Sequence, residues 1–368
     1  MATTVQPTYQ DKVLELLRKI IEMYHLHGKE NQIIHIYRLI TRESLSYPMT
    51  ESLPPFSRVC TDGTPIQFSA SLGRGVRDSR ELRYVTEICK PTMQLPERVK
   101  LTRKRIPLLL EAVEASSLTP KIDEILDVVL PATRLSPGYS NFGIWIGVQH
   151  GADKDPILKF YLNLMWRNVD PWQLFIDASG TIGAPNSRIE SIRGTLGNSC
   201  YPNSMGVECG SDGFGRVKLY LRGYDLSLSE TRDLLRDFNM HESETDLTLF
   251  HSTFLKGSER YHPFSTILSI GIPVDEDEAC DMKFEISPVY YVTDDEETFR
   301  LIASLALALG IDITPYKQMM DLFSKGMLIQ GLMNYHDIIG IGLSQNGPRL
   351  TTYLRPNLTK RGDSFIQR

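Results

Sequence analysis

Four segments of this 368-residue chain repeat one alternation of side chains. They read RVKLYLRG from Arg216, ILKFYLNL from Ile157, RLTTYLRP from Arg349 and DMKFEISP from Asp281. Successive side chains of a strand point to opposite faces, so Arg216, Lys218 and Tyr220 share one side, as do Lys159 with Tyr161 and Arg349 with Thr351 and Tyr353. Val217, Leu219 and Leu221 take the other. A strand with a cationic, tyrosine-bearing face opposed to an aliphatic one is inside-out for an ordinary sheet. The pattern fits a barrel whose apolar outer surface is covered by helices and whose polar faces enclose a lumen.

Each of these strands follows another across a turn rich in Gly, Asp, Asn or Pro. The pairs are 66–72 with 82–88, 143–149 with 157–164, 205–209 with 216–222, 265–272 with 282–287, and 338–344 with 350–355. They recur at intervals of roughly 60 to 75 residues, a spacing that marks an internal repeat. Helical periodicity separates them. Val13, Leu14, Leu16, Leu17, Ile20, Ile21 and Tyr24 outline a first helix over 11–27, and others are expected near 97–116, 121–130, 186–196, 227–238 (capped by Ser227 or Ser229) and 294–310. The expected fold is α+β: repeated α-β-β-α units forming one antiparallel ten-stranded barrel, a single domain over residues 1–368.

A chain with 41% hydrophobic and 23% charged residues has enough apolar surface for a large core. Its net charge of −5 provides no global field for nucleic acid or an anionic membrane, so a bound anion must be held by local cations. The polar N-terminus lacks the layout of a secretory signal, and no apolar run is long enough to span a bilayer; a soluble, cytoplasmic protein, monomeric or weakly dimeric, is expected. The five scattered cysteines, Cys60, Cys89, Cys200, Cys209 and Cys280, form no C-x-x-C pair and read as reduced, buried thiols.

If the charged faces point inward, Arg83, Lys159, Arg216, Lys218, Lys283 and Arg349 meet in one enclosure. Desolvated like charges repel, so such a set calls for a polyanion. A diphosphate fits: Arg makes forked contacts to phosphate oxygens and Lys supplies a point charge, with no dedicated metal cage. Tyr161, Tyr220 and Tyr353 stand two residues further along the same faces. Their rings can stabilise an allylic cation by about 0.5–2 kcal/mol each and exclude the water that would quench it.

The strings LRYVTE, LKFY, RVKLY and RLTTYLRP, with TPIQFS upstream, resemble the strands of ABBA-type aromatic prenyltransferases of the dimethylallyltryptophan synthase kind, over residues 64–356. The resemblance implies a ten-stranded barrel ringed by helices and metal-independent transfer of a dimethylallyl, or less often a geranyl, group from its diphosphate to an indole-containing acceptor in secondary metabolism. No cofactor is required and Mg2+ is not essential. By the same resemblance Arg83, Lys159, Arg216, Lys218 and Arg349 bind diphosphate, and Tyr161, Tyr220 and Tyr353 shield the cation; Lys283 joins the cations from the strand pattern. Gln67 departs from the family, which usually places there a glutamate that accepts the indole N–H. Gln67 can still accept through its carbonyl but cannot take a proton. Glu285 or Glu87 would then supply the base if either faces the lumen, and Trp145 is an acceptor-contact candidate.

Other readings remain open at this level: tryptophan derivatives, indolactams, cyclic dipeptides, aromatic residues of peptides or phenols as acceptors, or a non-catalytic barrel that binds an anionic amphiphile. Asp123, Glu124 and Asp127 form a DExxD that superficially resembles the magnesium motif of helical prenyl synthases, yet on an amphipathic helix it reads as a solvated face. The acidic runs 275–278 and 294–297 read as a hairpin turn and a helix N-terminus. The glycine-rich segments after Ser71 and Gly210 read as hairpin turns, and the eight histidines show no metal spacing. Tyr290 and Tyr291 read as packing residues.

Overall fold

The computed structural model describes residues 6–49, 54–74, 81–131, 142–263, 265–274, 280–325, 335–344, 346–356 and 358. Two helices precede every hairpin. In chain order these are α1 (Tyr9–Met23), α2 (Glu30–Leu45), β1 (Ile66–Leu72) and β2 (Glu81–Thr86); then α3 (Leu95–Ala112), α4 (Thr119–Val129), β3 (Ile144–Gly151) and β4 (Lys154–Asn163). The third unit is α5 (Pro171–Gly180), α6 (Asn186–Leu196), β5 (Cys200–Gly210) and β6 (Gly213–Gly223), and the fourth α7 (Leu228–Asp237), α8 (Glu244–Leu255), β7 (Thr266–Pro273) and β8 (Asp281–Ile286). The fifth is α9 (Asp295–Ala308), α10 (Thr314–Lys325), β9 (His336–Leu343) and β10 (Arg349–Leu354).

All ten strands join in one closed antiparallel barrel: each pairs with its neighbours in sequence, and β1 closes onto β10 from Phe68↔Leu354 to Leu72↔Leu350. Closure leaves no free edge. The fold class expected from the strand alternation is the one observed. Outward residues such as Phe68, Ile146, Phe160, Leu219, Phe284 and Ile341 are at most 1% exposed beneath the helices. The hydrophobic core therefore lies between barrel and helices, and burying each large side chain there contributes about 1.5–3 kcal/mol.

The repeat reaches into the helix ends. The first helix of every unit stops at a left-handed residue: His25, Glu114, Gly183, Asn239 and Gly310, with φ between 56° and 82°. The next residue turns back to donate to the carbonyl five positions earlier, as in Leu26 N to Ile21 O (2.9 Å), Ala115 N to Leu110 O (2.8 Å) and Ile311 N to Ala306 O (2.8 Å). This is the Schellman stop, and Leu26, Ala115, Ala184, Met240 and Ile311 all bury their side chains behind it. Glu114 adopts a conformation that glycine takes without strain. Glu114→Gly is expected to stabilise the protein by about 0.5–1 kcal/mol, the left-handed strain relieved less the added freedom of the unfolded chain. A denaturant midpoint that falls instead would contradict it.

Ser227 caps α7 and Asp294 caps α9, each accepting from a backbone N–H three residues on. The turn after Gly210 joins β5 to β6. The acidic run 275–278 and the end of the glycine-rich segment after Ser71 lie outside the described residues.

Candidate active site

The inner face of the barrel divides its labour between the strands of each hairpin. Lys159 on β4 stands opposite Gly147 on β3, Lys218 on β6 opposite Gly206, and Arg349 on β10 opposite Gly342. Arg83 and Lys283 stand opposite Ser69 and Ser269. At these five places the first strand supplies space and the second the cation. A Cβ at Gly147 would lie 3.0 Å from the Tyr161 ring, one at Gly206 3.0 Å from the Tyr220 ring, and one at Gly271 only 1.8 Å from a carboxylate oxygen of Asp281.

The six cations expected in the lumen all stand on inward positions of its strands. They are not alone, which corrects the expectation that they await a polyanion uncompensated. Arg216 donates from Nε to Glu208 Oε2 (2.9 Å), and its Nη1 forms an ion pair with Asp281 Oδ1 at 2.9 Å. Lys218 reaches Asp281 Oδ2 at 3.4 Å, Lys159 pairs with Glu208, Arg83 with Glu81, and Lys283 with Glu285 Oε1 at 2.7 Å. Six cations and four carboxylates leave two positive charges (6 − 4 = 2). Arg349 makes no hydrogen bond or ion pair among the described residues, and its Nε and that of Arg83 are buried without a hydrogen-bond partner.

Burial, with Arg216 second, drives the Lys218 pKa well below the usual lysine value. Burial also lowers Lys159 and Lys283, against the pull of Glu208 and Glu285. For Glu208 burial raises the pKa, but Lys159 and Arg216 outweigh it and hold the carboxyl far below the carboxylate range. The lumen is thus a low-dielectric box whose charges are set by one another.

Above this belt sits the tyrosine ring. Tyr161 and Tyr220 pack with centroids 5.4 Å apart at 51°, and the Lys283 ammonium lies 4.9 Å from the Tyr353 centroid while donating to its hydroxyl. All three line a cavity of about 1710 Å3. None of the six cations is among the residues that line it; they stand beside it in their own ion pairs, and Arg216 keeps 32% of its side chain exposed.

Gln67 and Trp145 also line the cavity. Trp145 faces Tyr161 across the β3–β4 ladder, stacks on Phe142 at 4.1 Å, and has a buried indole N–H without a partner. The Gln67 amide donates from Nε2 to Asp337 Oδ2 at 2.6 Å. Asp337 Oδ1 accepts from the Thr61 backbone N–H (2.9 Å) and from Arg355 Nη1 (3.1 Å). A carboxylate so saturated can only accept, so the Gln67 carbonyl is the end left for the cavity. Burial raises the Asp337 pKa while Arg355 opposes it.

Arg355 stands two residues beyond Tyr353 on the same alternation, but Asp337 is not legible in the strand pattern. Tyr353 pairs with Ile338 but Leu354 with His336, so Asp337 is the extra residue of a bulge. The bulge aims an outward-numbered side chain into the lumen. The missing carboxylates Glu81 and Asp281, by contrast, stand two residues before Arg83 and Lys283 on the same face, where alternation does locate them.

Of the two candidate bases, Glu285 lines the cavity. Glu87 does not: it is buried against Ser57 Oγ (2.7 Å) and Arg98 Nη1 (3.3 Å), apart from the cavity lining. Trp166 and Trp172 are core residues. Tyr290 and Tyr291 stand at the rim, Tyr290 stacked on His262 at 4.5 Å and Tyr291 hydroxyl accepting from the His262 N–H. On α4 Asp127 pairs with Arg103 and Glu124 with Lys121, as on a solvated face. All five cysteines are free and buried. Among the described residues no helix is long and apolar enough to cross a membrane.

No protein-family model matches the sequence, and no curated protein matches it either. In three dimensions the chain is similar to the prenyltransferase PriB, with a TM-score of 0.81 at 16% identity over 97% of this chain and 98% of that one. It is similar also to 6-dimethylallyltryptophan synthase from Micromonospora olivasterospora, solved with DMASPP and Trp (0.78, 18% identity, 97% and 99% covered). A third is 5-dimethylallyltryptophan synthase from Streptomyces coelicolor (0.77, 16%, 96% and 99%). Closed over its full circle and matched from end to end, the barrel of this chain has the fold of the ABBA aromatic prenyltransferases.

Proposed function

We propose that this chain is an aromatic prenyltransferase that moves a dimethylallyl group from its diphosphate to an indole-containing acceptor, with no metal required. The observation that carries the reading is the placement of three cavity-lining tyrosines next to a belt with excess positive charge, in which two guanidinium Nε–H groups have no acceptor among the described residues. The belt supplies what a diphosphate leaving group needs and the ring what an allylic cation needs. The structural neighbours named dimethylallyltryptophan synthases, one of them solved with DMASPP and Trp, support that pairing of substrates.

In the proposed sequence Arg83, Lys159, Arg216, Lys218, Lys283 and Arg349 hold the diphosphate, and the C1–O bond breaks with its electron pair passing to the leaving oxygen. Tyr161, Tyr220 and Tyr353 surround the allylic cation. The acceptor donates its N–H to the Gln67 carbonyl and lies against Trp145; its ring attacks C1, and the displaced ring proton passes to Glu285. A dissociative step of this kind depends on exclusion of water, the role proposed for the three cavity-lining tyrosines.

The test is incubation with dimethylallyl diphosphate and a panel of tryptophan, a tryptophan-containing cyclic dipeptide, a tyrosine peptide and a simple phenol, in EDTA, read by mass spectrometry. A product heavier by one isoprenyl unit on an indole is expected. Tight binding of the diphosphate with neither product nor hydrolysis would replace the enzyme by a carrier of anionic amphiphiles.

A further inference from the structure

Five charges form an unbroken alternating chain across the lumen: Lys159, Glu208, Arg216, Asp281, Lys218. It runs from β4 through β5 and β6 and reaches β8 over β7, where Gly271 leaves the opening that Asp281 crosses. Glu208 is the hinge of this chain, because it holds two cations at once. Its own strand offers no substitute: the other inward positions of β5 nearby are Ser204 and Gly206. The Glu208 carboxylate engages Lys159 and Arg216 together, so any anion that contacts both cations competes with it.

Resting on the reading above, we infer that Glu208 is an affinity-setting residue for the diphosphate, an internal anion that the donor's phosphate oxygens displace from Lys159 and Arg216 and that reclaims them when diphosphate leaves. Two physical consequences follow. In the empty lumen the carboxylate keeps the neighbouring cations charged and extended, so the belt does not collapse or shed protons; burial alone presses on Lys159 and Lys218 in that direction. In the loaded lumen a polyanion wins the competition with a single carboxylate, but its hold is weakened by the displaced charge nearby, which speeds product release. A strut would do the first of these and not the second.

The experiment is calorimetric titration of the intact protein with inorganic diphosphate, for the wild type, Glu208→Gln, Glu208→Asp and Asp281→Asn. Glu208→Gln keeps size and one acceptor oxygen but removes the competing charge; it is expected to bind diphosphate about tenfold more tightly or better. Glu208→Asp keeps the charge and is expected within about threefold of wild type. Asp281→Asn, which loosens Lys218 and one side of Arg216, is expected to tighten binding in the same direction and serves if Glu208→Gln does not fold. Equal or weaker binding by the neutral variants, with wild-type binding intact, overturns the inference and leaves Glu208 a strut. A wild type that binds no diphosphate overturns the proposed function itself.

Discussion

Arg216→Ala is expected to lower kcat/KM for dimethylallyl diphosphate by about 10^2–10^3-fold, the usual cost of removing one charge-stabilising donor from a buried site. The same change removes the centre of the ion chain. Glu208 and Asp281, which Arg216 joins at 2.9 Å on each side, would then face one another with only the two lysines to balance them. Losing one partner of a buried ionic cluster costs about 3–5 kcal/mol, so the thermal midpoint should fall together with activity. The sign with pH is fixed by the carboxylates. Lys159 and Arg216 outweigh burial to depress Glu208, and Lys218 and Arg216 do so for Asp281. Their contribution is therefore present above the unfolded pKa near 4 and lost as pH falls through the folded values. The deficit of Arg216→Ala should be largest at neutral pH and shrink below about pH 4, as the carboxylates take up protons. Arg216→Lys keeps one charge but not two forked contacts and should fall between. Full activity and an unchanged midpoint in Arg216→Ala would exclude Arg216 from the donor site.

The second large effect concerns Gln67. Glutamate there, the residue the family resemblance leads one to expect, is predicted to damage this protein. The Gln67 amide lies 2.6 Å from Asp337 Oδ2, and a glutamate would set two buried carboxylates at that distance. Like charges so close cannot both ionise, and one pKa must rise far above its unfolded value. A group whose folded pKa is raised favours the folded state less and less as pH climbs from about 4 toward the raised value. Gln67→Glu should therefore match wild-type stability near pH 4 and lose about 2 kcal/mol or more by pH 7. The double variant Gln67→Glu/Asp337→Asn restores complementarity, since the introduced asparagine can donate to the introduced glutamate and still accept from Arg355 and Thr61. Unfolding midpoints across pH 4–8 check both. A single variant as stable as wild type at neutral pH would mean that Asp337 does not govern this position.

How far the sequence carried these conclusions differs from group to group. Strand alternation located the barrel and the inward faces, because a lumen imposes a period of two that propensity alone does not. Glu81 and Asp281 obey the same period, but that each neutralises a cation follows only from the side-chain contacts across the closed barrel. Glu208 lies inside the strand expected over 205–209, but its role comes from standing opposite Lys159 across the β4–β5 ladder, a register that no single strand displays. Asp337 was beyond reach, for a bulge is a property of two paired strands and not of one. Among helices, α2, α5, α8 and α10 went unread. α8 shows why: Thr248, Phe250, Thr253 and Phe254 are poor helix formers and its apolar residues make only a weak stripe, so packing against its neighbours, rather than local preference, holds it helical. The left-handed stops were equally hidden, because His, Glu, Asn and Gly occupy equivalent places.

The glycines and serines that face each luminal cation carry a consequence for how such a chamber can change. A methyl group gained at Gly147 or Gly206 would push one tyrosine ring by a few tenths of an ångström, whereas one at Gly271 or Gly340 would run into Asp281 or Glu285, so of these four positions only the former two can take bulk without disturbing the charged belt. On the proposed function, the space left for the donor's chain can therefore shrink by single methyl groups in the barrel wall while the cations that would hold its diphosphate stay in place.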